Sequence, residues 1–210
     1  MTPARLALLL LLCTTTAYQP PHQSYARTVA LRGQRTYTLT DAEGATDLLE
    51  VTTKAEGRTF VLDGSKMLTL YECSFFEGKL GYQVWPAALA GAAWACKNKA
   101  LFEGKRVLEL GSGVGAVGIG ARLFGASRVV LTDIEDVVPL LEANIGLNHV
   151  EHVTAVALDW FQDVPSAVLD ESFDLILASD VVYDPDLHAP LLKTLGVLLD
   201  RIPVCLLAHR

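Results

Sequence analysis

Arg106–Val107–Leu108–Glu109–Leu110–Gly111–Ser112–Gly113–Val114–Gly115 is the stretch that decides the fold. Apolar residues around one acid read as a buried strand, three alternating glycines as a tight turn, and Ala116–Val117–Gly118–Ile119 as the opening of a helix. Glycine has no Cβ, so a strand ending in such a loop brings backbone N–H groups close to a bound nucleotide or nucleoside. The stretch therefore predicts a cofactor site.

Downstream, strands and helices alternate. Strands are expected at Val107–Leu110, Val129–Thr132, Val153–Ala157, Phe173–Ala178 and Val204–Ala208. Between them lie helices over Gly115–Phe124, Val137–Asn144 and Pro185–Leu199, the last capped by Asp184 with Pro185 in its first turn. Such alternation implies an α/β fold with a doubly wound, mostly parallel Rossmann-like sheet. Upstream, Pro86 opens a helix through Ala87–Ala95. Thr59–Leu62 and Met67–Tyr71 flank the turn signal Asp63–Gly64–Ser65 and predict a β-hairpin, with a third extended piece near Cys73–Phe76.

The expected organisation is a targeting segment over 1–17, a poorly ordered or peripheral linker over 18–57, an N-terminal hairpin over 58–83 and the cofactor-binding domain over 84–210. Arg5 followed by the apolar run Leu6–Leu12 and the small residues Thr14–Ala17 fits a signal-peptide core and cleavage site, and the run is too short to span a bilayer. The formal charge of −7 and the lack of a Lys/Arg-rich run argue against a nucleic-acid partner. Four cysteines, at 13, 73, 96 and 205, form no CxxC pair, which suits neither zinc nor a disulfide scaffold. No metal site is expected.

In a parallel sheet of this kind, ligands sit at the carboxyl ends of the strands. Those ends carry Glu109 and the glycine loop, then Thr132–Asp133, then Leu158–Asp159–Trp160, then Ser179–Asp180–Val181–Val182–Tyr183. A carboxylate after the second strand is placed to bond ribose hydroxyls, and an indole after the third to cover an adenine. Gly113, Gly115 and Gly118 also satisfy the dinucleotide spacing, so the glycines alone leave the cofactor open. Glu109 tilts the choice: an acid just before the loop suits a cationic cofactor such as S-adenosylmethionine, where a nicotinamide fingerprint has an apolar residue.

The pieces together resemble the seven-β-strand methyltransferases, and most closely the methyltransferase-like protein-lysine methyltransferases of the family 16 group. The resemblance covers about Met67 to Arg210 and rests on Gly81–Ala88, Val107–Gly115, Leu131–Glu135, Leu158–Trp160 and Asp174–Tyr183. It implies that Trp85 borders the methionine part of S-adenosyl-L-methionine, that Gly111, Ser112 and Gly113 line its cradle, and that Asp133 holds the ribose. It also implies Trp160 beside the adenine, Ser179 as a small residue near the cofactor, and Asp180 and Tyr183 as the catalytic pair where a protein lysine enters. The family's setting implies the cytoplasm, whereas residues 1–17 point to secretory or organelle targeting.

The chain departs from the family after Val204–Ala208, where the family continues with a helix and two further strands. The expectation is a C-terminally truncated methyltransferase domain with a complete cofactor half. Small-molecule methylation, an inactive methyltransferase-fold interaction module and a nicotinamide-dependent oxidoreductase are the competing readings; Glu109 and Asp180–Tyr183 argue against the last. Sequence leaves the oligomeric state open.

Overall fold

The computed structural model describes residues 7–12, 34–40, 46–54, 57–62, 66–72, 81 and 83–209. The expected turn at Asp63–Ser65, the extended piece at Cys73–Phe76 and the small residues Thr14–Ala17 lie outside them. The strands, in chain order, are β1 (Ala7–Leu12), β2 (Gln34–Thr40), β3 (Thr46–Lys54), β4 (Gly57–Val61), β5 (Met67–Leu70), β6 (Arg106–Leu110), β7 (Arg128–Asp133), β8 (Val153–Ala157), β9 (Leu175–Ser179) and β10 (Val204–His209). The helices are α1 (Pro86–Lys97), α2 (Ala116–Leu123), α3 (Val138–Leu147), α4 (Ser166–Leu169) and α5 (Pro185–Leu199).

The five expected parallel strands form one sheet in the order β10-β9-β6-β7-β8. The order reverses between β6 and β9, which are paired from Val107↔Leu175 to Leu110↔Ala178. Ligands of open α/β sheets bind at such a switch point, beyond the carboxyl ends of the strands. Each inner strand is buried on both faces. Val107, Val129, Leu131, Leu175 and Leu177 join the cluster with α1, α2 and α3, while Leu108, Leu110, Val130 and Ile176 join the one with α5. This two-sided burial explains the near-continuous apolar runs in the sequence. β1 lies parallel along the other side of β10, from Ala7↔Val204 to Leu12↔His209, as a sixth strand.

The hairpin is larger than the sequence suggested. β4 and β5 pair antiparallel as expected, and β3 and β2 continue the sheet in the order β2-β3-β4-β5. The linker assigned to 18–57 therefore contains two strands. Its many threonines gave it a polar composition, yet threonine is β-branched and favours strands. Phe60, Leu68 and Leu70 are fully buried in the core shared with α1, α2 and α3. Each buried leucine contributes about 2 kcal/mol. Among the described residues, no helix is long and apolar enough to cross a membrane.

Candidate functional site

The glycine loop turns sharply at the end of β6. Gly111, Gly113 and Gly115 have φ of 62°, 53° and 82°, in the left-handed region that side chains disfavour. At Gly111 space is short as well: a Cβ would lie 2.8 Å from Val181 Cγ1 and 3.1 Å from Trp160 Cζ2. Trp160, arriving from the end of β8, thus stands directly against the loop, as does Val181 after β9. A Cβ at Gly113 would lie 3.3 Å from the Gly81 carbonyl oxygen, so the segment leading to Trp85 crosses the other side of the loop.

Asp133 closes the arrangement from the end of β7. Its Oδ2 accepts the Gly113 N–H at 2.8 Å and its Oδ1 accepts the Ile134 N–H at 2.9 Å. Burial lifts its pKa above the ordinary carboxylate value, opposed by these two hydrogen bonds. Each carboxylate oxygen keeps a second lone pair for a hydroxyl donor. The Ser112 hydroxyl faces inward, accepting from the Thr132 N–H at 3.0 Å, while the Ser112 N–H donates to the Thr132 carbonyl at 2.9 Å. The Ser112 carbonyl accepts the Gly115 N–H at 2.8 Å, so both backbone groups of Ser112 also hold the loop in shape.

Glu109 occupies a different place from the one its sequence position suggested. Side chains alternate across a strand, and Glu109 falls on the face covered by α2. It is 2% exposed, and its Oε2 accepts the Gly118 N–H at 3.1 Å. Burial pushes its pKa up to about 8; hydrogen bonds from Ser112 and Gly118 oppose the shift and the charge of Asp133 adds to it. A carboxyl held so is mostly neutral at pH 7, so it supplies little negative charge to a cation. It fastens the start of α2 beneath the loop. A Cβ at Gly118 would lie 2.5 Å from Glu109 Oε2 and 2.3 Å from Leu131 Cδ2, which is why that turn of helix is glycine.

Across the switch point, Asp180 follows β9 with φ of 58°, an uncommon conformation for a residue with a side chain. Its N–H donates to the Ala208 carbonyl at 2.8 Å, which ties the turn to β10. Strained backbone of this kind concentrates at functional sites. Tyr183 is 52% exposed. Burial of the remainder, then the charges of Asp133, Asp184 and Asp180, raise its pKa above the ordinary phenol value, so it stays protonated. Val181, between Asp180 and Tyr183, packs against Gly111, so this turn and the glycine loop meet at the switch point. The Ser179 hydroxyl is buried without a hydrogen-bond partner among the described residues, and a Cβ on Gly91 of α1 would lie 3.8 Å from it. It turns toward α1 rather than toward the glycine loop. Trp85 precedes Pro86 as the N-cap of α1, and its carbonyl accepts the Ala88 N–H at 3.0 Å.

Sequence reasoning missed Asn144 and Asn148, on α3 and at its end. Asn144 is fully buried. Its Oδ1 accepts the Tyr71 N–H at 2.7 Å, and its Nδ2 donates to the Val114 carbonyl at 2.9 Å and the Tyr71 carbonyl at 3.3 Å. Two amides four residues apart on an apolar helix were the available signal.

Comparison with known proteins places this crevice among methyl-transferring enzymes. A family model described as "Lysine methyltransferase" matches residues 64–210. The protein N-lysine methyltransferase METTL21A of Mus musculus is 38% identical over 131 residues, covering 60% of this chain and 59% of that protein. The histone-arginine methyltransferase METTL23 of Xenopus laevis is 33% identical over 126 residues, covering 59% and 53%. The protein-lysine N-methyltransferase EEF2KMT of Homo sapiens is 31% identical over 166 residues, covering 70% and 48%. The chain thus spans about half the length of the curated relatives it matches.

Proposed function

This chain belongs to the lysine methyltransferase family, and from that premise we propose that it transfers methyl groups from S-adenosylmethionine to a lysine side chain of a protein substrate. One observation carries the reading. The glycine loop with Asp133 and the Asp180–Tyr183 turn flank the same switch point, and Val181 of that turn packs against Gly111.

The residues fit an adenosyl cofactor. Gly111 packs so closely against Val181 and the Trp160 indole that a Cβ has no room, which sets the indole beside the loop. Asp133 is placed for the ribose hydroxyls, Trp160 for the adenine and Trp85 for the methionine part. Gly111, Ser112 and Gly113 line the cofactor, and Ser179 contributes only small size. Bound there, S-adenosylmethionine supplies an activated methyl group on a positively charged sulfur.

The protein's own task is the amine. A free lysine has a pKa of about 10.4 and is mostly protonated at neutral pH. Burial in a channel disfavours the charged form. Asp180 orients the amine as a hydrogen-bond acceptor, and the protonated Tyr183 phenol offers both a donor and an acceptor. Holding the nitrogen in line supplies much of the rate. Half-exposure of Tyr183 suits an acceptor that arrives on a large partner.

Incubation of a lysate with radiolabelled cofactor tests this. The expected result is label in protein that hydrolyses to methyl-lysine, reduced at least a hundredfold in Asp180→Ala. Label recovered only in small molecules or in methyl-arginine would overturn the substrate assignment, and equal labelling by both proteins would remove Asp180 from the mechanism. Thermal stabilisation by NAD and none by S-adenosylhomocysteine would overturn the cofactor.

A further inference from the structure

The amide of Asn144 joins two parts of the molecule that are distant in sequence. Its three bonds reach Tyr71, at the end of β5, and the Val114 carbonyl, in the middle of the glycine loop. The loop is held at successive residues from opposite sides: Asp133 takes the Gly113 N–H and Asn144 takes the Val114 carbonyl. Beyond Tyr71, the Glu72 carboxylate accepts the Val84 N–H at 2.7 Å, just before Trp85. One strand end thus reaches both the cradle and the segment that would border the methionine part.

We propose that Asn144 is a positioning residue for the cofactor, and that docking of the β2–β5 sheet and cofactor binding stabilise one another through it. The inference rests on the reading of Gly111–Gly115 as the cofactor cradle. A loop peptide fixed before the ligand arrives loses less freedom on binding, and such coupling is reciprocal between the two events.

The protein contains its own control. Asn148, one turn further on, holds Thr69 in the same way, accepting its N–H at 2.8 Å and donating to its carbonyl at 2.6 Å. Its remaining bond is to the Asn144 carbonyl at 2.7 Å, and none of its bonds reaches the glycine loop. Loss of Asn148 weakens the sheet without releasing the cradle.

Calorimetric titration of the full chain with S-adenosylhomocysteine separates the two roles. Asn144→Ala is expected to bind at least tenfold more weakly, and Asn148→Ala within twofold of wild type. Hydrogen exchange on the wild-type protein keeps the test open if Asn144→Ala does not fold: exchange at the Tyr71 amide should slow at least threefold when S-adenosylhomocysteine saturates. Equal weakening in both variants, an Asn144→Ala affinity within twofold of wild type, or unchanged exchange at Tyr71 would each overturn the proposal. A wild type that binds no S-adenosylhomocysteine would overturn the cradle reading and this inference with it. Wild-type binding with an unaffected Asn144→Ala would overturn this inference alone.

Discussion

The two banks of the crevice are built differently. On the β6–β7 bank the polar groups are spoken for by neighbours: Asp133 by Gly113 and Ile134, Thr132 by Ser112 and Glu109, Val114 by Asn144. On the β9 bank, Asp180 sits in a strained backbone, Tyr183 stands half in solvent and the Ser179 hydroxyl is buried without a partner among the described residues. The first bank is tied together by hydrogen bonds among its own elements, as suits the proposed cofactor site. The second presents the half-exposed Tyr183 phenol, as suits the proposed protein acceptor.

The contrast breaks most severely at Gly118. Gly118→Ala must displace both Leu131 and the Glu109 carboxylate. It should cost about 3 kcal/mol, lowering the melting temperature by roughly 6–12 °C and weakening S-adenosylhomocysteine binding. A variant as stable as wild type would show the bank to be soft.

A smaller effect follows from the buried carboxyl. With its pKa raised from 4.5 to about 8, the folded chain holds the Glu109 proton more tightly than the unfolded chain does. Its contribution to stability is therefore complete below about pH 4.5 and is lost as pH rises through about 8. Denaturant unfolding of wild type should lose roughly 3–4 kcal/mol between pH 5 and 8 relative to Glu109→Gln. Parallel pH profiles of the two proteins would mean that Glu109 ionises freely.

The least costly change to the fold lies on the open bank. Tyr183→Phe removes an exposed hydroxyl and should alter stability by no more than about 0.5 kcal/mol, while methyl transfer falls at least tenfold with cofactor affinity unchanged. A large stability loss would make Tyr183 part of the scaffold and erase the distinction.

Sequence legibility followed the same division. The positions of Gly111, Gly113, Asp133, Trp160 and the Asp180–Tyr183 turn at strand ends were readable, because chain order and sheet topology together fix them. Glu109 was read from its distance to the glycines, yet strand alternation sent its side chain beneath α2, where burial neutralises it. The direction of the Ser179 hydroxyl, toward α1, depends on packing between elements that sequence does not show. The spacing of Asn144 and Asn148 marked a pair of amides, but not their partners, since those of Asn144 lie 73 and 30 residues away on backbone. The strands β2 and β3 were hidden by composition, since a threonine-rich strand and a polar linker use similar residues.

The paired asparagines of the α3 segment also bear on solubility. Two residues of strand advance about 6.7 Å and four of helix about 6 Å, so the amides of Asn144 and Asn148 meet alternate residues of β5 at nearly equal spacing. Each presents a carbonyl and an amino group side by side, as the backbone of an adjoining strand would. The outward N–H and C=O groups of Thr69 and Tyr71 are consumed, and an unfilled border of that kind is a template for aggregation. A helix side has been made to imitate a strand, and β5 is thereby closed to recruitment by a second copy of the chain.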